Sequence, residues 1–304
     1  KEMRNVQLLL VASICLVLLR VCFQQGVEYY RVFTWGRKSP ALVPILKSVS
    51  VLQQENIVQV ASTYRHVLAL TASGSLFVWG DNTTSQLTYG SSMTVVYQPL
   101  LVNTQSLNGT VKHIAGTFRE SFVATSDNVV YKWGDFDAKP VPLIWNVAET
   151  VVQISGRMEN MIVRTDSGKL YGWGNNDEGQ VGVGTTSWLQ NTNTLHEASI
   201  TTQVPMSHVD VGAYHTVAVG RNGSVYAWGR NTDGQLANGM KSTRVVSQMN
   251  SVGGPLLNKF IVDAVAGDTF SCVLTSDSEV YAWGKMDYSD PLVDSVQPIQ
   301  LNLG

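Results

Sequence analysis

An aromatic residue, any residue, then Trp-Gly recurs six times along this chain, ending at Trp35, Trp79, Trp133, Trp173, Trp228 and Trp283. Six of the eight tryptophans therefore belong to one repeating device. Self-similarity at such a period specifies small sheets that cannot bury their faces alone, so neighbouring units must stack, in an open array or a closed ring.

The clearest unit runs from His208 to Gly239. Val209 to Gly212 is a short apolar run, His215 to Val219 a second strand, Arg221-Asn222-Gly223 a turn and Val225 to Trp228 a third strand, followed by the turn-rich Asn231 to Leu236. The same order recurs in the units ending at Trp79, Trp133, Trp173 and Trp283. Alternation along the third strand puts Phe77 with Trp79, Tyr131 with Trp133, Tyr171 with Trp173, Tyr226 with Trp228 and Tyr281 with Trp283 on one face. Val78, Gly172, Ala227 and Ala282 stand between them and leave room for the aromatics of an adjacent unit. Lys132 breaks this rule; snorkelling along an interface is the favoured reading and a polar pocket the other. Tryptophan spacings of 44, 54, 40, 55 and 55 residues vary because the loop after Trp-Gly varies, so insertions fall on one rim.

Composition narrows the function classes. With 23 acidic against 21 basic residues and a net charge of -2, nucleic acid is not an expected direct partner. The three cysteines, Cys15, Cys22 and Cys272, form no C-x-x-C or His/Cys cluster; Cys272 reads as a small buried hydrophobe. From Val6 to Phe23 the chain is apolar except for Gln7, Ser13 and Arg20, behind Met3-Arg4. Residues 1–26 therefore read as an apolar helix serving as a signal peptide or signal anchor, since the uninterrupted core is shorter than the roughly 20 residues that span a bilayer. A cleaved signal is favoured over an anchor, and a merely buried segment is the third reading. The first two lead into the secretory pathway, with membrane contact through this segment alone. The sequons at Asn82, Asn108 and Asn222 fit that route weakly, and Asn222-Gly223 is better read as a hairpin turn.

These residues resemble the regulator of chromosome condensation repeat family. The matching pattern is an apolar strand ending in Ala/Ser-Gly, a His/Ser-led strand, a Gly turn, Val-Tyr-Ala-Trp-Gly and Asn-x-x-Gly-Gln-Leu, clearest in Gly212 to Gly239 and Gly156 to Gly184. The resemblance implies an all-β fold, a β-propeller of four-stranded blades, usually seven, over residues 27–304. Five blades read as complete and one, at Trp35, as partial, with Pro298 to Leu301 as a last outer strand. That pattern fits a fragment of a seven-bladed ring better than a six-membered ring closed imperfectly. The founding member's activity, guanine-nucleotide exchange on a small nuclear GTPase, is the alternative function the resemblance implies; a secretory leader argues against it. The family's plant ultraviolet-B receptor absorbs light through tryptophans in Gly-Trp-Arg-His-Thr loops. Here the loops read Thr63-Tyr64-Arg65-His66, Thr117-Phe118-Arg119-Glu120 and Ala213-Tyr214-His215-Thr216, without tryptophan.

Catalytic patterns are not evident: His66, His113, His196, His208 and His215 fall in different units, and no nucleophile-elbow, zinc-protease, phosphate-loop or dinucleotide pattern occurs. No metal or cofactor is expected. The loops between first and second strands should gather on one rim and bring Tyr64, Arg65, Phe118, Arg119, Arg157, Tyr214 and Phe270 together. Aromatics and arginines anchor protein interfaces, so this rim is the candidate binding surface; strand capping and packing between blades is the plainer reading of any one of them. The function expected is non-catalytic binding of a protein, or of a glycan, by a secreted or membrane-anchored propeller.

Overall fold

The computed structural model of the protein describes residues 6–9, 15–24, 27–36, 47–48, 52, 55–87, 93–135, 137–145, 148–186, 189, 193–199, 203–286 and 295–301. Their regular structure is almost wholly strand, and no helix among them is long and apolar enough to cross a membrane. The chain divides into two compact units, Lys1–Pro142 and Leu143–Gly304. Each consists of four-stranded antiparallel sheets with strands in sequence order.

The first unit holds three sheets: β1 (Val6–Leu9), β2 (Cys15–Gln24), β3 (Val27–Gly36) and β4 (Lys47–Ser48); β5 (Ile57–Ser62), β6 (His66–Thr71), β7 (Leu76–Asp81) and β8 (Val95–Leu101); β9 (Val111–Gly116), β10 (Glu120–Thr125), β11 (Val130–Gly134) and β12 (Asp137–Pro142). Three more make up the second: β13 (Val151–Arg157), β14 (Asn160–Thr165), β15 (Leu170–Gly174) and β16 (His196–Glu197); β17 (Met206–Val211), β18 (His215–Gly220), β19 (Val225–Asn231) and β20 (Ser242–Ser251); β21 (Ile261–Ala266), β22 (Phe270–Thr275), β23 (Val280–Gly284) and β24 (Ser295–Leu301).

The apolar segment corrects one expectation. Its described residues, 6–9 and 15–24, are strand and not helix: β2 pairs with β3 from Cys15↔Gly36 to Gln24↔Val27, and β1 pairs with β2. A run rich in Val and Leu carries both β and signal-sequence character, and hydropathy alone cannot separate them. The Trp35 sheet, expected to hold two strands, thus has four, its first pair drawn from the apolar run. The turn at Asn222-Gly223 forms as read, with Gly223 at φ +78° and its N–H on the Gly220 carbonyl.

Trp-Gly is a local backbone device. In four sheets the pairing of third and fourth strands shifts register beside the tryptophan, between Val78 and Gly80, Lys132 and Gly134, Ala227 and Gly229, and Ala282 and Gly284. The glycine of the pair has positive φ, as at Gly174 (+104°), where an added Cβ would come within 2.2 Å of the Glu159 carbonyl oxygen. Only glycine fits both the backbone angle and this approach.

Apolar packing joins consecutive sheets within each unit. Val78 and Leu87 share a buried cluster with Tyr131 and Trp133 of the next sheet; Ile162 and Val181 do so with Tyr226 and Trp228, and Ala227 and Leu236 with Tyr281 and Trp283. The aromatics of one repeat therefore fill space beside the small residues of the preceding one. That space is shared with the preceding repeat's own loop, since a Cβ on Gly172 would stand 2.3 Å from Val181 Cγ1.

Hydrogen bonds fix the same joints. Trp228 Nε1 and Thr216 Oγ1 both donate to the Gln180 carbonyl, at 2.9 and 2.7 Å. Trp283 Nε1 and Ser271 Oγ donate to the Gln235 carbonyl, at 2.7 and 3.1 Å, and Ser121 Oγ donates to the Gln86 carbonyl at 2.6 Å. The acceptor loop is itself fixed by asparagine: the side chains of Asn82, Asn176 and Asn231 accept from the N–H of Leu87, Val181 and Leu236. The Asn-x-x-x-Gln-Leu/Val stretch thus serves as a socket for a hydroxyl of the next repeat, and at Gln180 and Gln235 for its tryptophan as well.

Candidate functional site

In the first unit the β5–β6 and β9–β10 turns lie side by side. Tyr64 and Phe118 meet edge to face, with centroids 6.1 Å apart. The Arg65 guanidinium sits 4.3 Å from the centroid of the Phe118 ring and pairs with Asp81 at 2.9 Å. Arg119 pairs with Asp135 at 3.7 Å. Arg65 and Arg119 are exposed, while the two aromatics are half-buried. Each arginine immediately precedes its second strand and each aspartate follows Trp-Gly, so the antiparallel pairing of His66 with Gly80 and Glu120 with Gly134 brings them together. Four of the seven expected rim residues thus form one contiguous aromatic and cationic surface, already organised by its own aspartates.

The other three occupy the corresponding turns of the second unit and are more deeply engaged. Arg157, at the end of β13, pairs with Asp268 on the β21–β22 turn at 2.7 Å, with side-chain exposures of only 11% and 16%. Tyr214 lies under the Arg230 guanidinium, 5.3 Å away. Phe270 opens β22 with its ring against Gly267, where an added Cβ would meet Cε1 at 2.2 Å. The pairing of Asp81, Asp135, Asp268 and Arg230 with these residues was not expected from the sequence. A repeat-by-repeat alignment would have flagged Asp81 and Asp135, because an acid follows Trp-Gly in the two repeats with an arginine before the second strand; the long-range pair of Arg157 with Asp268 leaves no such local signal.

Beneath these turns the first residue of the second strand is a buried polar group in four sheets: His66, Glu120, Asn160 and His215. His66 Nε2 is 2.9 Å from Ser121 Oγ, and His215 Nε2 is 2.9 Å from Ser271 Oγ. Each serine spends its proton on a glutamine carbonyl, so it accepts from the imidazole Nε2–H. In His66 that leaves Nδ1 to accept from Thr63 Oγ1 at 2.9 Å. Burial pushes both imidazoles down to about 3, opposed at His66 by Asp81; at His215 Arg157 lowers it further against a backbone hydrogen bond at Phe270 and the Asp268 charge, and both are neutral. A buried serine already committed to a carbonyl, beside a neutral histidine, holds the sheets together and offers no exposed nucleophile.

In the third sheet of the first unit the same position carries charge. Glu120 takes the histidine position, and Lys132 Nζ reaches Glu120 Oε1 at 3.2 Å and Asp137 Oδ2 at 2.6 Å. Lys132 does not snorkel; it is 7% exposed and ion-paired inside the sheet. Cys272 is half-buried, and burial pushes its thiol up to about 11, which keeps it protonated. The described residues contain no group of three or more His, Cys, Asp or Glu suited to a metal ion. The Asn82 sequon is structural, its amide buried and bonded to Leu87 N–H and the Met93 carbonyl.

The inner strands are laced by side chains. The Gln59 amide makes reciprocal bonds to the backbone of Ile114, and the Gln153 amide to that of Val209. Ser155 donates to Asp210, which also accepts from Ala266 N–H. Burial raises the Asp210 carboxyl, opposed chiefly by those two hydrogen bonds.

Profiles of the regulator of chromosome condensation (RCC1) repeat match residues 57–86, 206–235 and 261–289 in one form and 167–219 and 222–274 in another. Among curated proteins, the chain is 27% identical over 277 residues to the human E3 ubiquitin-protein ligase HERC2, covering 84% of this chain and 6% of that protein. It is 28% identical over 209 residues to the ultraviolet-B receptor UVR8 of Arabidopsis thaliana, covering 67% and 36%. The chain thus spans a small part of such relatives' length. Among solved structures, human WBSCR16 superposes with a TM-score of 0.77 at 18% identity, over 95% of this chain and 80% of that one. Prp20p of Saccharomyces cerevisiae, characterised with its binding properties to Gsp1p and histones, superposes at 0.74 with 20% identity, over 86% and 68%. These likenesses show the β-propeller fold.

Proposed function

The chain belongs to the regulator of chromosome condensation repeat family, and from that premise we propose that it is a non-catalytic propeller scaffold that binds a partner protein through the Tyr64, Arg65, Phe118 and Arg119 surface. The observation that carries this reading is the Arg65 guanidinium stacked on Phe118 and continued by Tyr64 and Arg119. Cations held over aromatic rings at a surface are preorganised, so little side-chain entropy is lost when a partner's acidic or polar groups meet them. Ser121 and Ser271, each committed to a glutamine carbonyl, and His66, bonded through both ring nitrogens, agree with a scaffold without chemistry of its own. Prp20p's reported binding to Gsp1p and histones is consistent with protein as the partner class.

The test is affinity capture with the wild-type chain and with Arg65→Glu and Arg119→Glu variants, followed by binding measurements on the captured protein. Charge reversal at either position should weaken binding at least 10-fold; unchanged affinity in both would defeat the assignment, and capture of glycan alone would replace the partner class. The second reading, exchange on a small GTPase, predicts accelerated nucleotide release from a GTPase panel. Export through residues 1–26 is a separate proposal resting on hydropathy alone. A reporter fused to Met3–Val27 and retained in the cytosol would remove it.

A further inference from the structure

Two departures from the repeat pattern coincide in one sheet. Where the other repeats place His66, Asn160, His215 or Phe270 at the start of the second strand, this one places Glu120; where they place Val78, Gly172, Ala227 or Ala282 between the aromatics, it places Lys132. The two side chains meet at 3.2 Å, and the ammonium also reaches Asp137, the first residue of β12, at 2.6 Å. Glu120 is 1% exposed. One cation therefore serves two carboxylates, Glu120 buried and Asp137 34% exposed at the side chain, and a single positive charge can balance only one of them.

We propose that Glu120, Lys132 and Asp137 form a proton-controlled latch that fastens the start of β12 to β11. With Glu120 protonated, Asp137 is the charged carboxylate of the pair that faces Lys132, and their ion pair holds β12 in place. When Glu120 ionises, the ammonium is divided between two carboxylates and the hold on Asp137 weakens. Other groups around the site do not take over this role. Thr117 Oγ1 lies at 3.4 Å from Glu120 Oε2; Asp135 adds negative charge and is paired with Arg119; His66, brought by β6, is neutral and bonded to Ser121. Asp135, beside the latch, holds a left-handed conformation, φ +46°.

The electrostatics agree in sign. Burial pushes the Glu120 carboxyl up to about 7, opposed by Lys132, while Lys132 is held above its ordinary value by Glu120 and Asp137 despite its own burial. A carboxyl raised in the folded state contributes stability that is complete below its unfolded value and is lost as pH rises through about 7.

Side-chain carboxyl NMR on the full chain should give Glu120 a midpoint between about pH 6 and pH 8. Amide exchange at Asp137 and Lys139, corrected for its intrinsic pH dependence, should accelerate several-fold across the same interval. Glu120→Gln, which keeps the hydrogen bond without the charge, should abolish that acceleration. A midpoint below about 5 for Glu120 in the wild-type chain would overturn the latch, as would a Glu120→Gln variant that folds and retains the pH-dependent exchange.

Discussion

At the residue scale, Trp228 and Trp283 act as donors as well as bulk. Trp228→Phe keeps most of the buried ring but leaves the Gln180 carbonyl with Thr216 alone. We expect a loss of about 1–3 kcal/mol by denaturant unfolding. Gly174→Ala should be worse, more than about 3 kcal/mol, because it combines a forbidden φ with a backbone collision. The two buried imidazoles set an acid limit. Their folded values, about 3, lie below the unfolded 6.5. The stability they confer is therefore complete above 6.5 and lost as pH falls toward 3. Replacing both by Asn, the residue the chain itself uses at position 160, should flatten the acid limb of a stability-against-pH curve.

At the element scale, the repeat was legible because its signals are local. Aromatic alternation and the Asn-Gly turn each follow from a few adjacent residues. The socket built by Gln86, Gln180 and Gln235 was less legible, since its acceptor is a backbone carbonyl and leaves no side-chain signature. The apolar run was legible only in part, because Val-Leu-Leu-Arg-Val suits a strand as well as a leader helix, and its pairing with Val27–Gly36 has no local signal. A chain beginning at Val27 lacks β1 and β2 and leaves an open sheet edge along β3. It should melt at a lower temperature than the full chain and aggregate on heating, as light scattering during a thermal ramp would register. Equal melting of the two chains would mean that β1 and β2 contribute little to the fold.

For the whole molecule, stability in repeat proteins is close to a sum of unit and neighbour terms. Here the neighbour terms are specific: tryptophan to glutamine carbonyl, imidazole to hydroxyl, glutamine amide to inner strand. Function rests on what the repeat leaves free. The sequence pointed to seven rim residues, of which Tyr64, Arg65, Phe118 and Arg119 come together at the surface of the first unit, whereas Arg157, Tyr214 and Phe270 are tied to groups of the second. Their partners could not be read from the sequence, because the pairing of distant turns depends on how successive sheets pack. The most direct test places a photo-crosslinking amino acid at Phe118 and, as a control, at Asp127 in the turn at the other end of β10, in the full chain expressed in its own cells. The account predicts a discrete protein adduct from position 118 and none from 127. Adducts from 127 alone, or equal yields from both, would contradict it.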